Sequence, residues 1–431
     1  MKQSLKSRFL QNTSWIILGR VYQILVNLAV SLVSVRYLGP SDYGLIHYAA
    51  SFGALVTAFC TLGIPDVMVN ELIRSPENQG KLLGTAVVMR MVSGLFSAVT
   101  VSLLVWALNP GEPRTLWVTA IYSGGLIFQG LETVQYFYQQ KLMSKVTSLL
   151  TAVARTGVAL YKVFLLASGR SVLWFAAANI VDHGLFGVLL VLAYFRHKSP
   201  GQKLSVDWNV GRGLLGKSHH FIFSGLMVAL YGQMDKIMLK FLMDEAQVGY
   251  YSVAAAINNL WPFVILAVIE SARPVIMELF EKDQILYEKR LTQLYSSILA
   301  ISVAAAVGIT MLAEPLVLLY GGAAYRSAAD ALRIITWGTA FSYLGVARSI
   351  WAVPRGCQHL EKYLAAIGAG CNALLNLLMI PVWGISGAAL ATVLTQFITN
   401  ILTGFLFVPL RGNQRLICKG LDFRCIFSKK V

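Results

Sequence analysis

Charged side chains are scarce in this chain of 431 residues. They account for 13% of its residues, whereas about 25% is usual in soluble domains. Hydrophobic residues account for 56%, and the mean hydropathy is +0.64. This composition excludes an ordinary soluble domain. It also excludes nucleic-acid binding as the reason for the net charge of +16, because no soluble domain is predicted that could carry a basic patch.

Several chemical motifs are also missing. No segment matches the phosphate-binding pattern GxxxxGK[ST], so the chain is not expected to use ATP itself. The five cysteines form no CxxC or Cys/His pattern, so zinc sites and disulfides are not expected. No polar connection is long enough for an extramembrane catalytic domain. We therefore expect a protein without cofactor, metal or catalytic residues, and not an enzyme.

Apolar runs of bilayer length fill the chain. About 20 helical residues cross a hydrocarbon core of about 30 Å, and runs of this length recur from end to end. They lack the alternation of membrane strands, so they are expected to be helices. The sequence thus predicts an all-α polytopic membrane protein with about 12 transmembrane helices. The predicted spans are 14–35, 44–64, 84–108, 115–135, 146–167, 171–194, 218–239, 248–270, 291–314, 328–353, 362–381 and 384–408.

Lysine and arginine are unequally distributed between the two sides of these spans. With a cytoplasmic N-terminus, the cytoplasmic segments hold most of the cations outside the spans. Positive charge accumulates on the cytoplasmic side of membrane proteins, so both termini are expected to be cytoplasmic. The opposite face holds Arg36, Arg114, Arg170, Lys240 and Arg326.

The longest polar connection falls near the middle of the chain and indicates two halves. Because six spans separate similar short segments after the first and seventh spans, the halves are expected to form a parallel repeat around a central cavity. The predicted organisation is an N-terminal six-helix lobe at 1–195, a cytoplasmic linker at 196–217, a C-terminal six-helix lobe at 218–408 and a basic cytoplasmic tail at 409–431.

Polar side chains form a stripe at helical spacing along the first span of each half. Uncharged stripes commonly serve helix packing, but a full-length stripe that carries a charge suits the wall of a water-filled cavity. These stripes include Arg20, Gln23, Asn27 and Ser31 in the first span, and Ser224, Tyr231 and Asp235 in the seventh.

Ionisable residues within the spans should face protein or water, because a charge at a bilayer centre costs about 2.5–3.5 kcal/mol. The basic residues outnumber the acidic ones, which favours an anionic cargo. His183 is open to two interpretations, a proton relay or a hydrogen-bonded packing residue. The basic residues are Arg20, Arg90, Arg155, Lys162, Lys236, Arg333 and Arg348, and the acidic ones are Glu132, Asp182, Asp235, Glu270 and Glu314.

The eighth predicted span is interrupted by Pro262. Proline removes a backbone donor and kinks a helix. In transporters such a break can line a binding site or act as a hinge, and a purely structural kink is the alternative.

Several segments resemble bacterial polysaccharide repeat-unit flippases. RYLGPSDYG at 36–44 is similar to the turn R-x-L-G-x-x-x-Y-G of that family. YGQMDKIML at 231–239 and VGYYSVA at 248–254 are similar to its Q-x-D-x-x-x-L and V-G-x-Y-x-x-A segments, and LLYGG at 318–322 to a further turn. The family belongs to the exporter superfamily that includes MATE drug exporters and lipid-linked oligosaccharide flippases. The resemblance covers essentially the whole chain.

The resemblance implies a flippase of the bacterial inner membrane. It would carry undecaprenyl-pyrophosphate-linked oligosaccharide, an O-antigen or similar repeat unit, to the periplasmic leaflet by alternating access. Its expected partners are that lipid, membrane lipids, a polysaccharide polymerase and a chain-length regulator, with no nucleic acid. We assign a cationic cavity to Arg20, Arg90, Arg155, Lys236 and Arg348, with polar lining from Gln23, Asn27, Ser31, Ser224 and Tyr231, and ion coupling to Asp235, Asp182, His183 and Glu132.

Three alternatives remain at this point. A MATE-like exporter of small cationic drugs predicts an acidic cavity. A membrane-embedded enzyme of glycan assembly would normally need large periplasmic loops. A scaffold of a glycan-export complex could dock through the tail at 411–431, although an ordinary positive-inside anchor is the simpler interpretation of that tail.

Overall fold

The computed structural model describes residues 2–198 and 202–422, with the side chains of 14–198, 202–223 and 225–422. Every regular element in this part of the chain is a helix. The chain divides into two compact units, Met1–Ala229 and Leu230–Val431, which we call the N-terminal and C-terminal units. The finer division into lobes, linker and tail stays a prediction.

The helices follow one another with short connections. The first helices are α1 (Lys2–Thr61), α2 (Pro65–Arg74), α3 (Gln79–Leu108), α4 (Pro113–Ser123), α5 (Gly125–Phe128), α6 (Gln135–Gln140), α7 (Ser144–Ala167), α8 (Val172–His197) and α9 (Trp208–Leu242). The later helices are α10 (Glu245–Asn258), α11 (Phe263–Lys282), α12 (Gln284–Gly321), α13 (Ala328–Ile335), α14 (Gly338–Ala352), α15 (Glu361–Phe397), α16 (Thr403–Leu406) and α17 (Arg411–Gly420). Short 3₁₀ segments are Pro76–Asn78, Gln129–Val134, Ala323–Tyr325, Cys357–Leu360 and Val408–Leu410, and Ile398–Leu402 is a π-helix.

Two long helices contain a break at glycine. A straight helix of the 60 residues of α1 would be about 90 Å long, three times the thickness of a bilayer core. Gly39 has φ 69° and precedes Pro40, which interrupts α1 between the first two predicted spans. Gly384 has φ 54° in α15, at the boundary between the last two. Glycine adopts these positive φ values without the steric cost that a Cβ brings.

Six helical segments of the described chain are long and apolar enough to cross a membrane, and one bent pair would make a seventh. Twelve spans are therefore not confirmed. Two of the six segments, Ser14–Arg74 and Cys357–Leu406, each contain two predicted spans but are counted as one candidate span. The fourth and tenth predicted spans consist of successive helices, such as α13 and α14, each shorter than the about 20 residues that a bilayer requires.

The predicted interruption at Pro262 is confirmed. Helix α10 ends at Asn258, α11 begins at Phe263, and the two are bent by 44°. Pro262 occupies the N-cap of α11, where its missing N–H removes no intrahelical hydrogen bond.

An arginine within an aromatic cluster joins three helices of the C-terminal unit. The guanidinium carbon of Arg355 lies 4.8 Å from the ring centre of Phe280, 5.2 Å from that of Tyr287 and 4.5 Å from that of Trp351. Arg355 also donates a hydrogen bond to the Tyr287 hydroxyl at 3.1 Å. Such cation–π contacts hold α11, α12 and α14 together around the core of this unit.

The segment before α9 packs closely on α3 through two glycines. A Cβ at Gly80 would lie 2.3 Å from the carbonyl oxygen of Lys203, and one at Gly84 would lie 2.5 Å from that of Ser205. The backbone N–H of Asp207 donates to Thr85 Oγ1 at 2.9 Å. Residues 202–207 therefore form a strap on the N-terminal unit, and 208–217 are already part of α9.

We expect Gly84→Ala to destabilise the protein by about 1–3 kcal/mol, because the new methyl group would overlap the strap's backbone. The measurement is thermal unfolding of the purified protein in detergent. Gly213→Ala is the matched control, since no atom lies within 4 Å of a Cβ there, and it should be neutral or slightly stabilising. Equal melting temperatures for the two variants would contradict the strap.

Candidate functional site

The C-terminal unit contains a cavity of about 390 Å³. This volume lies within the range of small-molecule sites, about 300–1,000 Å³. Helices α9, α10, α13, α14 and α15 contribute to its wall, together with the break between α10 and α11. Its polar lining comes from Tyr231, Gln233, Asp235, Lys236, Tyr251, Asn258, Asn259, Thr339, Ser342, Tyr343, Asn372, Thr392 and Gln396.

A buried carboxylate lies at the centre of a hydrogen-bond network in this wall. Asp235 is 7% exposed. Its Oδ2 accepts from the Tyr251 hydroxyl at 2.5 Å and from the Thr392 hydroxyl at 2.6 Å. Its Oδ1 accepts from the amide of Asn372 at 3.0 Å and from that of Asn376 at 2.7 Å. Four hydrogen-bond donors thus surround one carboxylate.

Other polar groups of the lining residues have few partners or none within the described chain. The Tyr231 hydroxyl and Asn258 Oδ1 are buried and have no hydrogen-bond partner among the described residues. Lys236 donates to Gln233 Oε1 at 3.4 Å and forms no salt bridge within the described chain. Buried polar atoms normally find a partner. The lining of this cavity therefore combines one cation with uncharged hydrogen-bonding side chains.

Helical spacing explains how the sequence brings these groups together. Tyr231 and Asp235 are four residues apart on α9, as predicted from the polar stripe, and Asn372 and Asn376 are four apart on α15. Residues at this spacing share a helix face. Our sequence analysis missed the two asparagines. The available signal was a pair of amides at i and i+4 within an apolar run.

The N-terminal unit has a cavity of its own, with a volume of about 430 Å³. Two of the predicted site residues, Arg20 and Gln23, line it from α1. The opposite wall comes from α6 and α7. The other polar lining residues are Gln135, Gln139, Ser144, Thr147, Ser148 and Thr151. This cavity also combines a cation with uncharged hydrogen-bonding groups.

One ion pair and one histidine–carboxylate hydrogen bond connect predicted site residues within the N-terminal unit. Arg155 on α7 binds Asp182 on α8. His183 Nδ1 lies 2.6 Å from Glu132 Oε1. Glu132 belongs to the 3₁₀ segment Gln129–Val134, where the backbone departs from the α-helix. Three of the four predicted coupling residues are therefore partnered by another predicted site residue.

Arg90 and Arg348, two of the predicted cavity cations, are buried and bonded to protein groups. Arg348 makes a two-bond pair with Glu361, at 3.0 and 2.8 Å. Arg90 donates to Thr133 Oγ1 at 2.9 Å, while its Nε has no partner among the described residues. Neither is among the residues that line the two cavities described above. Both side chains are thus bonded to residues of neighbouring helical segments, and their role in cargo binding stays a prediction.

The remaining predicted residues are not gathered at either cavity. Asn27 is exposed and Ser31 is half-buried on α1, and neither is among the residues that line the N-terminal cavity. The side chain of Ser224 lies outside the described part of the chain. The predicted set is thus divided among a C-terminal cavity, an N-terminal cavity and several pairs.

Comparison with known proteins supports both the fold and the family. The chain is 20% identical over 395 residues to a capsular polysaccharide biosynthesis protein, CapF, of Staphylococcus aureus, covering 91% of this chain and 97% of that one. It is 26% identical over 176 residues to a probable flippase, AglR, of Haloferax volcanii, covering 40% of this chain and 37% of that one.

The fold is similar to that of a solved membrane protein, the lipid II flippase MurJ in an inward closed conformation. The TM-score is 0.70 at 15% identity, over 96% of this chain and 91% of that one. The chain is therefore an all-α multi-pass membrane protein with a MurJ-like fold. The sequence profile described as "Polysaccharide biosynthesis protein" matches residues 9–280, and the chain belongs to that family.

Proposed function

We propose that the protein is a flippase for a lipid-linked oligosaccharide. The cargo we infer is an undecaprenyl-pyrophosphate-linked repeat unit, an O-antigen or similar glycan, which moves from the cytoplasmic to the periplasmic leaflet of a bacterial inner membrane. The family match and the similarity to a capsular polysaccharide biosynthesis protein and a probable flippase support this proposal. Twelve spans, two lobes that alternate access, and cytoplasmic termini complete the proposed architecture.

The observation that carries the proposal is the chemistry of the C-terminal cavity. Asp235 is already surrounded by four hydrogen-bond donors, whereas Lys236 is not paired with a carboxylate in the described chain. The charge offered to a ligand is therefore positive. Amides and hydroxyls such as those of Asn259 and Ser342 suit sugar hydroxyls. A cation together with neutral polar groups fits an anionic glycan headgroup better than a cationic drug.

The N-terminal cavity supports the same cargo. Arg20 is its cationic group, and glutamine, serine and threonine side chains provide the rest of its polar lining. Arginine binds phosphate oxygens with two parallel hydrogen bonds. We propose that each unit contributes one such cavity to the transport cycle.

Asp235 is the best supported of the four coupling candidates. Asp182 is held by Arg155, and Glu132 is paired with His183. Asp235, by contrast, forms no salt bridge within the described chain and is among the residues that line a cavity. We propose that a proton or a monovalent cation compensates its charge during the transport cycle.

The experiment is a flipping assay with the purified protein in lipid vesicles. A fluorescent undecaprenyl-pyrophosphate oligosaccharide is incorporated, and a membrane-impermeant quencher reports its movement between leaflets. We expect Lys236→Gln to weaken apparent affinity for the cargo by roughly 10–100-fold, the contribution of a hydrogen bond to a charged group.

Lys282→Gln is the matched control, because Lys282 is exposed at the end of α11 and is paired with Glu278. It should leave flipping unchanged. The proposal fails if the wild-type protein does not flip the glycan lipid, or if it exports a small cationic dye instead. Formation of a new glycosidic bond in the vesicles would favour the enzyme alternative.

A further inference from the structure

Helix α17 is amphipathic along its whole length. Its buried residues lie on one face, and its exposed face holds Arg411, Arg415 and Lys419 at intervals of four residues. At 100° per residue these three positions fall within an arc of about 80°. The exposed face of α17 is therefore a basic stripe.

The buried face of α17 packs against residues that the sequence places inside the membrane. The Tyr295 hydroxyl donates to Asn413 Oδ1 at 2.5 Å. The Ser296 hydroxyl donates to the carbonyl oxygen of Gly420 at 2.7 Å. Tyr295 and Ser296 belong to the cytoplasmic end of the predicted span 291–314. With the predicted topology, these contacts put α17 beside the cytoplasmic end of that span, at the depth of the lipid headgroups.

A second set of bonds holds α17 to the end of the last predicted span. Gln414 Nε2 donates to the carbonyl oxygens of Asn400 at 3.0 Å and Ile401 at 2.8 Å. Both acceptors lie in the π-helix Ile398–Leu402, where the α-helical hydrogen-bond ladder is shifted. A Cβ at Gly404 would lie 1.8 Å from Gln414 Nε2, so glycine is required for this approach. Helix α17 thus folds back along the membrane-embedded end of the chain.

We propose that the basic stripe of α17 binds the headgroups of anionic phospholipids in the cytoplasmic leaflet. Lipid is the ligand we infer, because the stripe is positively charged and lies at the depth of the negatively charged headgroups. Exposed apolar side chains next to the helix, Leu406 at 75% and Val408 at 66% exposure, suit the adjoining acyl-chain region. Through Gln414 the bound lipid stabilises the π-helical turn of the last span. This inference is independent of the transported cargo.

Cys418 provides a local probe, because it is exposed on the same face as Arg415. The experiment uses full-length protein in which Cys418 is the single cysteine and carries an environment-sensitive fluorophore. Vesicles are made of phosphatidylcholine alone or of its mixture with phosphatidylglycerol. We expect a blue shift and quenching by brominated acyl chains when phosphatidylglycerol is present. Arg411→Gln, Arg415→Gln and Lys419→Gln should weaken this response by about fivefold each, and by on the order of a hundredfold together.

The matched control is the triple variant Arg196→Gln/Arg212→Gln/Arg290→Gln, which removes the same amount of charge elsewhere. These three arginines are exposed and lie in other segments that are predicted to be cytoplasmic. It should keep the response. The proposal is overturned if an aqueous quencher reaches the fluorophore equally in both kinds of vesicle. It is also overturned if the α17 triple variant responds like the parent, or if the control triple variant loses the response to the same extent.

Discussion

Replacing Asp235 with leucine is expected to destabilise the protein by about 4 kcal/mol, whereas Asp235→Asn should keep the fold and remove the ion dependence of transport. Leucine removes the shared acceptor of Tyr251, Thr392, Asn372 and Asn376. A buried donor without an acceptor costs about 1–3 kcal/mol. Thr392 and Asn376 would keep hydrogen bonds to Ala388 and Asn372, so the expected loss is smaller than four full penalties. Unfolding of the purified protein in detergent measures this loss.

Asparagine changes the charge of the site and preserves most of its hydrogen bonds. Its carbonyl oxygen can still accept from Asn372 and Asn376, and its amide can donate to the hydroxyls of Tyr251 and Thr392, which accept as well as donate. The negative charge is lost. We therefore expect the rate of glycan-lipid flipping by Asp235→Asn to be independent of pH and of sodium gradients.

Asp330→Asn is the control for this experiment, because Asp330 is an exposed carboxylate paired with Arg333 on α13. Transport by Asp330→Asn should respond to ions as transport by the wild-type protein does. If Asp235→Asn kept the wild-type ion dependence, the assignment of coupling to Asp235 would be wrong.

The second large effect concerns Arg348 and Glu361, whose burial is unequal. The side chain of Arg348 is 4% exposed and that of Glu361 is 45% exposed. Glu361→Gln leaves a buried guanidinium without its counter-charge and should cost about 3 kcal/mol. Arg348→Met leaves a carboxylate that water or headgroups can solvate, and should cost about 1 kcal/mol or less.

The double variant Arg348→Met/Glu361→Gln should recover most of the stability lost by Glu361→Gln alone, since no charge then remains buried. Thermal unfolding of the four proteins gives the coupling energy of the pair. This cycle also tests the original prediction that Arg348 binds cargo. A cargo-binding arginine would lower flipping in Arg348→Met far more than it lowers stability, and a packing arginine would change both together.

Several features of the fold were predictable from local chemistry. Pro262 cannot donate in a helix interior, and the span breaks there. The segment around Gly39 and Pro40 separates two apolar runs, and the chain turns at that point. Helical content followed from run length, because a backbone in lipid must satisfy its own hydrogen bonds. Run length did not determine the number of spans, because short helices in series stand where some single transmembrane helices were predicted.

The candidate site was only partly predictable. The α9 stripe correctly placed Tyr231 and Asp235 on one wall, because helical periodicity is a local property. Nothing in the sequence around Asp235 indicated that Asn372 and Asn376, more than 130 residues away, would be its partners. Arg348 and Lys236 looked alike in sequence, yet one is bonded to Glu361 and the other faces a cavity.

Composition and periodicity were sufficient to establish a helical, multi-pass membrane protein, because hydration cost and backbone hydrogen bonding act on each segment separately. They were also sufficient to mark which faces are polar. The pairing of each buried charge required the packed structure, since a counter-charge or an amide can come from any helix that the fold brings near. For this protein, that packing places Lys236 and Arg20 in the walls of cavities and pairs Arg155 and Arg348 with carboxylates of neighbouring helices.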